Sequence, residues 1–440
     1  MRVLRWTVAL VGVWASGLVL WTLAQQPPAS RVEAVLLGSQ AVVVAPRQMV
    51  APPQVQFAEW SPSGRYLVAV CMQARWRNWQ SPPEELGWVV YVWDNTRQQT
   101  KQVAKGNPGD HLDSFHWLPR SETAVALLRQ RVGGADEERF RWVLVVLNAA
   151  QGSLKTVAVV PEGTAIRYNP NAPMAMLVDG ETVRVVRADG TVSAPLPLPE
   201  EAARTLSIGH LRWSRDGWQA FWQSTPGGEW HVLDLRTGAI ARASAPPEER
   251  EPVDEQPKPA LSVRVMAQSV GAGEYRASTK ALWLEGEKSR TLVCADVDSA
   301  QLSPRGDAVF YVSQGAGFVA PLVRVPREAY EQARREAIRQ TIMSNAKQIG
   351  LALMMYIQDY DETFPPGSGV DVQSLLMPYL KNEAIFNFPG TTFVYLMDAQ
   401  SLQSIDRPAE TMVAYIQAPE GRVVIWADGH VTWQDEQGRE

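Results

Sequence analysis

The sequence predicts a mainly β chain of repeated sheets with an α+β domain at its end, and three observations carry this. Beyond residue 31, short apolar runs with period-two alternation are broken by Gly, Pro, Asn and Asp, the pattern of many antiparallel strands. A local phrase recurs along that region. From residue 327 the apolar period turns helical, and strands return only after Pro365-Pro366-Gly367.

Composition bounds the function classes. A length of 440 residues implies more than one packed core. The 45% hydrophobic and 20% charged fractions exclude a mostly disordered chain. Lys plus Arg number 42 against 47 Asp plus Glu, a net charge of −5 with no basic stripe, so nucleic acid is not an expected partner. Two cysteines, Cys71 and Cys294, exclude a disulfide framework and a Cys-rich zinc module, though the pair alone could still bridge. With five histidines besides, no metal and no cofactor is expected. Tryptophan is in surplus, at 17 residues.

The first element is an N-terminal hydrophobic helix, residues 1–30. Arg2 and Arg5 precede an uncharged apolar run over 6–24, which as a helix is about 28 Å long, near the thickness of a bilayer core. It reads either as a retained membrane anchor or as a signal peptide cleaved after Ala24. Both readings send the rest of the chain across the cytoplasmic membrane, because positive charges stay inside.

The second element, residues 31–326, is the repeat. An aromatic or Leu is followed by Ser, Asn or Leu, then Pro or Arg, often with Gly. The copies are Trp60-Ser61-Pro62-Ser63-Gly64-Arg65, Trp117-Leu118-Pro119-Arg120, Tyr168-Asn169-Pro170-Asn171, Trp213-Ser214-Arg215-Asp216-Gly217 and Leu302-Ser303-Pro304-Arg305-Gly306-Asp307. Counting one lost copy before residue 302, the spacing is about 48 residues, the length of one propeller blade. The acidic, Pro-rich stretch 245–259 explains the lost copy as a surface insertion. Within each blade the first turn needs Pro with Gly or Asn, and the flanking aromatic packs on the next blade. Trp60, Pro62, Gly64, Trp117, Trp213, Gly217, Pro304 and Gly306 are therefore structural blade residues.

This region resembles the WD-repeat-like β-propeller of the Tol–Pal translocation protein and its relatives. Six blades are expected, or seven. The last blade shows three strands, so residues 32–37 or 41–44 are expected to supply the fourth and close the ring.

The third element, residues 327–440, starts with one long helix over 327–361. Its first half is charged; Ile342, Ala346, Ile349, Leu353 and Tyr356 make one apolar stripe in its second half. Short strands follow, with Asp428-Gly429 as a two-residue hairpin signal. The segments 344–362, 405–411 and 426–431, in that order, resemble a bacterial pilin-like (pseudopilin-type) family, which implies an α+β pilin-like fold. Two departures are visible: the usual Gly-Phe-Thr-Leu-Ile-Glu start is absent, and Ala418 stands where the family carries a His.

Candidate sites have bland counterparts. Asp359, Asp361 and Glu362 suit a hard cation, but a solvated helix end explains them as well. His111 and His116 with Asp110 and Asp113 suit a metal pair or a turn between blades. His430 beside Asp428 suits an acid–base pair or a hairpin turn. No hydrolase elbow, zinc-protease motif, phosphate loop or dinucleotide fingerprint occurs, so an enzyme is not expected. Trp76, Trp79 and Trp88 border a loop whose Arg75, Trp76, Arg77 and Trp79 form the expected partner-contact surface. The expected function is thus an exported, envelope-associated scaffold that binds a protein partner. The alternatives are an envelope glycan-binding or glycan-processing propeller protein, with tryptophan stacking on the sugar, and an atypical minor pilin of a secretion or pilus system.

Overall fold

The computed structural model describes residues 34–75, 84–133, 139–225, 227–243, 261–270, 277–286, 289–380, 382–435 and 437–439. The N-terminal run 6–24 and the stretch 245–259 lie outside them. No helix of the described residues is long and apolar enough to cross a membrane. Two compact units divide the chain, one spanning Glu33–Arg324 and the other taking in Val325–Glu440.

The first unit opens with β1 (Ala34–Leu37), β2 (Gln40–Val44) and β3 (Gln48–Ala51). Sheet 1 follows as β4 (Val55–Trp60), β5 (Tyr66–Arg75), β6 (Glu84–Asp94) and β7 (Gln99–Lys105). Sheet 2 is β8 (His111–Trp117), β9 (Thr123–Arg131), β10 (Phe140–Asn148) and β11 (Ser153–Val160). Sheet 3 is β12 (Ala165–Tyr168), β13 (Met174–Val178), β14 (Thr182–Arg187) and β15 (Leu196–Pro197). Helix α1 (Glu200–Ile208), which no sequence pattern announced, then leads into sheet 4. That sheet is β16 (Arg212–Trp213), β17 (Gln219–Gln223), β18 (Trp230–Asp234) and β19 (Ile240–Ala243). Sheet 5 has three strands among the described residues, β20 (Ser262–Val270), β21 (Ala277–Glu285) and β22 (Arg290–Ala295). Sheet 6 runs β23 (Ser299–Leu302), β24 (Ala308–Ser313) and β25 (Ala316–Pro326), and then takes in β2 and β1.

These sheets form a β-propeller. Apolar clusters of the described residues join neighbouring sheets at every junction except that between sheets 4 and 5, burying the faces of the blades. Tyr66, Val68 and Val90 of sheet 1 pack with Ala126, Leu128 and Val145 of sheet 2. Leu127 and Leu144 of sheet 2 meet Ala175 and Leu177 of sheet 3. Met176 and Val185 of sheet 3 meet Trp222 and Leu233 of sheet 4, where α1 adds Ala203 and Leu206. Leu282 and Leu284 of sheet 5 meet Tyr311 and Leu322 of sheet 6. The circle is completed by Phe310 and Val319 of sheet 6 against Trp60 and Leu67 of sheet 1.

Closure uses the start of the unit. β25 is long enough to pair twice: Val319 opposes Gln48 of β3, and beyond it β2 adds on, continued by the Ala45 N–H to Pro321 carbonyl bond at 2.8 Å. Of the two segments expected to fasten the ring, 41–44 lies beside β25, whereas β1 pairs with β2.

The recurrent phrase is one hydrogen-bonded turn. In sheets 1, 4 and 6 a serine follows the aromatic or Leu, and its N–H bonds the carbonyl five residues on: Ser61 to Tyr66 at 2.7 Å, Ser214 to Gln219 at 2.9 Å, Ser303 to Ala308 at 2.8 Å. The serine hydroxyl accepts the N–H of that same later residue. Gly64, Gly217 and Gly306 sit at φ of 69°, 74° and 65°, the left-handed region where a Cβ is costly. Sheet 2 lacks both residues and rebuilds the turn with Arg120 at φ 54° and a Ser121 hydroxyl bond to the Leu118 carbonyl.

The second unit is described by itself. Helix α2 (Arg327–Asp359) is solvent-exposed over most of its charged first half and buries Ile342, Ala346, Ile349, Leu353, Tyr356 and Ile357 farther on. These pack on α3 (Gly369–Leu376) and on a four-stranded sheet of β26 (Thr392–Tyr395), β27 (Met412–Ala418), β28 (Gly421–Trp426) and β29 (Val431–Asp435). Gly350 allows the helix to approach the Asp428-Gly429 hairpin: a Cβ there would stand 2.9 Å from the Gly429 carbonyl oxygen. That contact gives a physical reason for both segments to carry glycine.

Candidate functional site

The first strands of neighbouring sheets meet at the junctions of sheets 6, 1 and 2. The Gln301 amide of β23 donates to the Ala58 carbonyl of β4 at 3.0 Å, and Phe57 of β4 meets Phe115 of β8 with ring centroids 5.4 Å apart.

Period-two alternation on β4 places Ala58 and Trp60 toward sheet 6, with Phe57 and Glu59 on the opposite side. Glu59 is exposed, and partial desolvation by the surrounding protein pushes its carboxyl above the usual carboxylate range. Tyr168 is raised first by burial and then by the Glu59 charge. His116 of β8 is lowered by burial, so its ring is neutral at pH 7. Arg167 is also lowered by burial, and its guanidinium is committed to the Ser207 and Gly209 carbonyls. The Phe57–Phe115 pair packs where sheets 1 and 2 meet, while Glu59 and Tyr168 are exposed. Sequence reading missed Glu59; its one signal was its position just before the motif Trp60.

The residues expected to build the blades sit where the repeat placed them. Trp60, Trp117 and Trp213 are 6%, 5% and 8% exposed. Gly64 lies against Pro304 and Arg305 of the neighbouring turn, and the Arg305 guanidinium donates to the Ser63 carbonyl. Gly217 lies against Asn169, whose amide donates to the Gly217 carbonyl at 2.8 Å. Pro62 and Gly306 complete the turns of sheets 1 and 6.

The expected contact loop stands differently. Arg75 ends β5 opposite Glu84, and Trp76, Arg77 and Trp79 lie outside the described residues. Trp88 is not surface: it is 3% exposed in the sheet 1–sheet 2 core, its ring pressed against Gly106. Strand β6 extends past the loop, so this residue falls inside the sheet.

The tryptophan surplus is used in packing. Trp60, Trp88, Trp93, Trp117, Trp213 and Trp222 are buried, and Trp142 packs between sheets 2 and 3. Arginines lie over the rings of Trp218, Trp230, Trp283 and Trp433, while Trp426 stacks on His430.

The remaining candidates resolve into structural contacts. Cys71 and Cys294 are both free thiols, and burial pushes the Cys71 thiol up to about 11. Asp110 is a turn residue accepting the N–H groups of Asn107 and Arg131 at 3.1 and 2.9 Å, and a bulge interrupts β8 between Asp113 and His116. Asp359 accepts the Tyr379 hydroxyl at 2.8 Å, which raises that phenol to about 12. Asp361 and Glu362 end α2 in left-handed conformations. Burial opposes the charge of Asp428, but hydrogen bonds from His430 hold its carboxyl below the usual range. Among the described residues, no three His, Cys, Asp or Glu side chains are grouped to hold a metal ion.

The chain matches no protein-family model and no curated protein. Solved structures similar to it include the β-propeller domain of the trilobed protease from Pyrococcus furiosus, at 10% identity over 59% of this chain and 78% of that one, TM-score 0.27. A chain of the mitotic checkpoint complex is 11% identical over 68% of this chain and 99% of that one, TM-score 0.29. The Cps50 (Swd1) β-propeller domain of Myceliophteria_thermophila is 10% identical over 64% and 100%, TM-score 0.21. At these scores the fold rests on the order of the sheets themselves.

Proposed function

We propose that this chain is an exported, envelope-associated scaffold without catalytic activity, whose propeller binds a protein partner at the inside of its ring. In this reading the ring closes at six blades and is of the Tol–Pal translocation type, the domain from residue 327 is pilin-like, and the apolar run 6–24 carries export. The observation that supports it best is the ring of sheets itself, fastened by β2 and β3 against β25, which presents strands and loops on a fixed frame.

A photo-crosslinking residue at Gln56 of the inner strand β4, compared with one at Gln102 of the outer strand β7, tests it in cells. A discrete protein adduct from position 56 and none from position 102 is expected. Adducts at neither position, or at both alike, would overturn it.

A further inference from the structure

We infer that one end of sheet 4 binds a neutral saccharide, with a sugar ring laid on the Trp230 indole and its hydroxyls on the Arg242–Glu229 pair. This site is separate from the protein partner proposed above and does not rest on it. Trp60, Trp88, Trp117, Trp213 and Trp222 lie inside the apolar clusters that join the sheets. Trp230 belongs to no apolar cluster of the described residues. It is half-buried and lines a cavity of about 350 Å³ together with Gly228, Glu229, Arg242 and Ala243. Local bonds build that cavity. The Gly228 N–H donates to the Thr225 carbonyl at 2.9 Å, and the Gln223 amide donates to the Gly228 carbonyl at 2.7 Å. A Cβ on Gly228 would stand 2.7 Å from the Thr225 hydroxyl oxygen, so the turn closes this tightly only with glycine. Strand pairing sets Trp230 opposite Ala243, whose small side chain leaves room beside the indole. The Arg212 guanidinium lies over the ring, 5.3 Å from its centroid, and holds it in place.

The charges at the rim select the ligand. Arg242 Nε stands 3.3 Å from Glu229 Oε2, and the two side chains are 79% and 65% exposed. An ion pair this exposed adds little to stability, so its donors and acceptors can turn to a bound molecule without weakening the fold. Together they offer guanidinium N–H groups beside carboxylate oxygens with no net charge. A hydroxyl both donates and accepts, so a polyhydroxylated molecule uses both partners at once. Each such bond has one charged partner, which makes it stronger than a neutral one. An anion would be repelled by Glu229, and a cation by Arg242 and Arg212. The C–H face of a sugar ring is apolar and suits the indole. The volume lies at the small end of the range for small-molecule sites, which fits a mono- or disaccharide. A divalent metal is disfavoured, because one carboxylate does not make a coordination sphere.

The test is calorimetry of the full chain, in a detergent without a sugar headgroup, titrated with cellobiose, maltose, lactose and N,N′-diacetylchitobiose. Saturable millimolar binding of at least one of these is expected. Anionic cellobiouronic acid and cationic, de-acetylated chitobiose should bind about tenfold more weakly, or less, than the neutral disaccharide bound best. Trp230→Ala should abolish that binding. Glu229→Gln, which keeps the shape of the site and breaks the ion pair, should weaken it several-fold. Trp283→Ala removes an indole of sheet 5 that also lies under an arginine, Arg290, and should leave the affinity unchanged. Binding of none of the neutral disaccharides, equal binding of the charged ones, or an unchanged affinity in either Trp230→Ala or Glu229→Gln would overturn the inference.

Discussion

The junction between sheets 6 and 1 and the junction between sheets 4 and 5 close the same ring with different means. At the first, parts of the chain about 240 residues apart are knit by apolar packing of Trp60 and Phe310, by the Asn95–Asp307 bond at 2.9 Å and by the Arg305 contact to Ser63. At the second, no apolar cluster of the described residues spans the two sheets, and the wall offered by sheet 4 carries Trp230 under Arg212. At the first junction the start of the unit must pair with strands more than 200 residues later in the chain, so packing and hydrogen bonds there offset a large loop-closure entropy.

The largest expected effect tests that contrast directly. Trp60→Ala should cost about 3–5 kcal/mol of unfolding free energy, as for other large core truncations. Trp230→Ala should cost less than about 2 kcal/mol, since it gives up partial burial and one cation–π contact. Denaturant titrations of both check it, and equal losses would erase the distinction between the junctions.

Next in size is the turn. Gly64→Ala must place a Cβ at φ 69° and 3.1 Å from Arg305, whereas Gly227→Ala in sheet 4 meets φ 79° and open space. The backbone cost of about 1–2 kcal/mol is shared, so any excess for Gly64 measures how tightly the turns of sheets 6 and 1 meet. Asp307→Ala comes after it, removing bonds to Ser303 and Asn95 for about 1–2 kcal/mol by thermal unfolding.

The smallest effect concerns Glu59. Its carboxyl is raised in the fold, so the folded state binds that proton more tightly than the unfolded state. The group's stabilising contribution is therefore present at acid pH and is lost as pH rises from the ordinary carboxylate range through the raised value. Glu59→Gln should raise Tm at pH 7 and have almost no effect at pH 4. A lower Tm at pH 7 would mean that Glu59 has a partner in the fold.

Much of the architecture was legible because it is local. Ser61 with Gly64, Ser214 with Gly217 and Ser303 with Gly306 satisfy the same backbone groups within six residues, so each copy shows as a phrase. Ile342, Ala346, Ile349 and Leu353 advertised the docked half of α2 by spacing alone. Trp88 misled because its neighbours in sequence are a loop, while its neighbours in space are the cores of sheets 1 and 2. Helix α1 was silent: Glu200–Ile208 is too short for a period to stand out. The candidate site was the least legible part, for Phe57 and Phe115 meet from different sheets and no spacing links them.

By itself, then, the sequence determined the turn chemistry, the strand alternation and the helix face, since hydrogen bonds and side-chain periods act over a few residues. Only the tertiary structure decided that β2 lies beside β25 and that the described tryptophans are used in packing. Those outcomes depend on which sheets become neighbours, and neighbourhood across a ring is set by the summed packing of every blade rather than by any one segment.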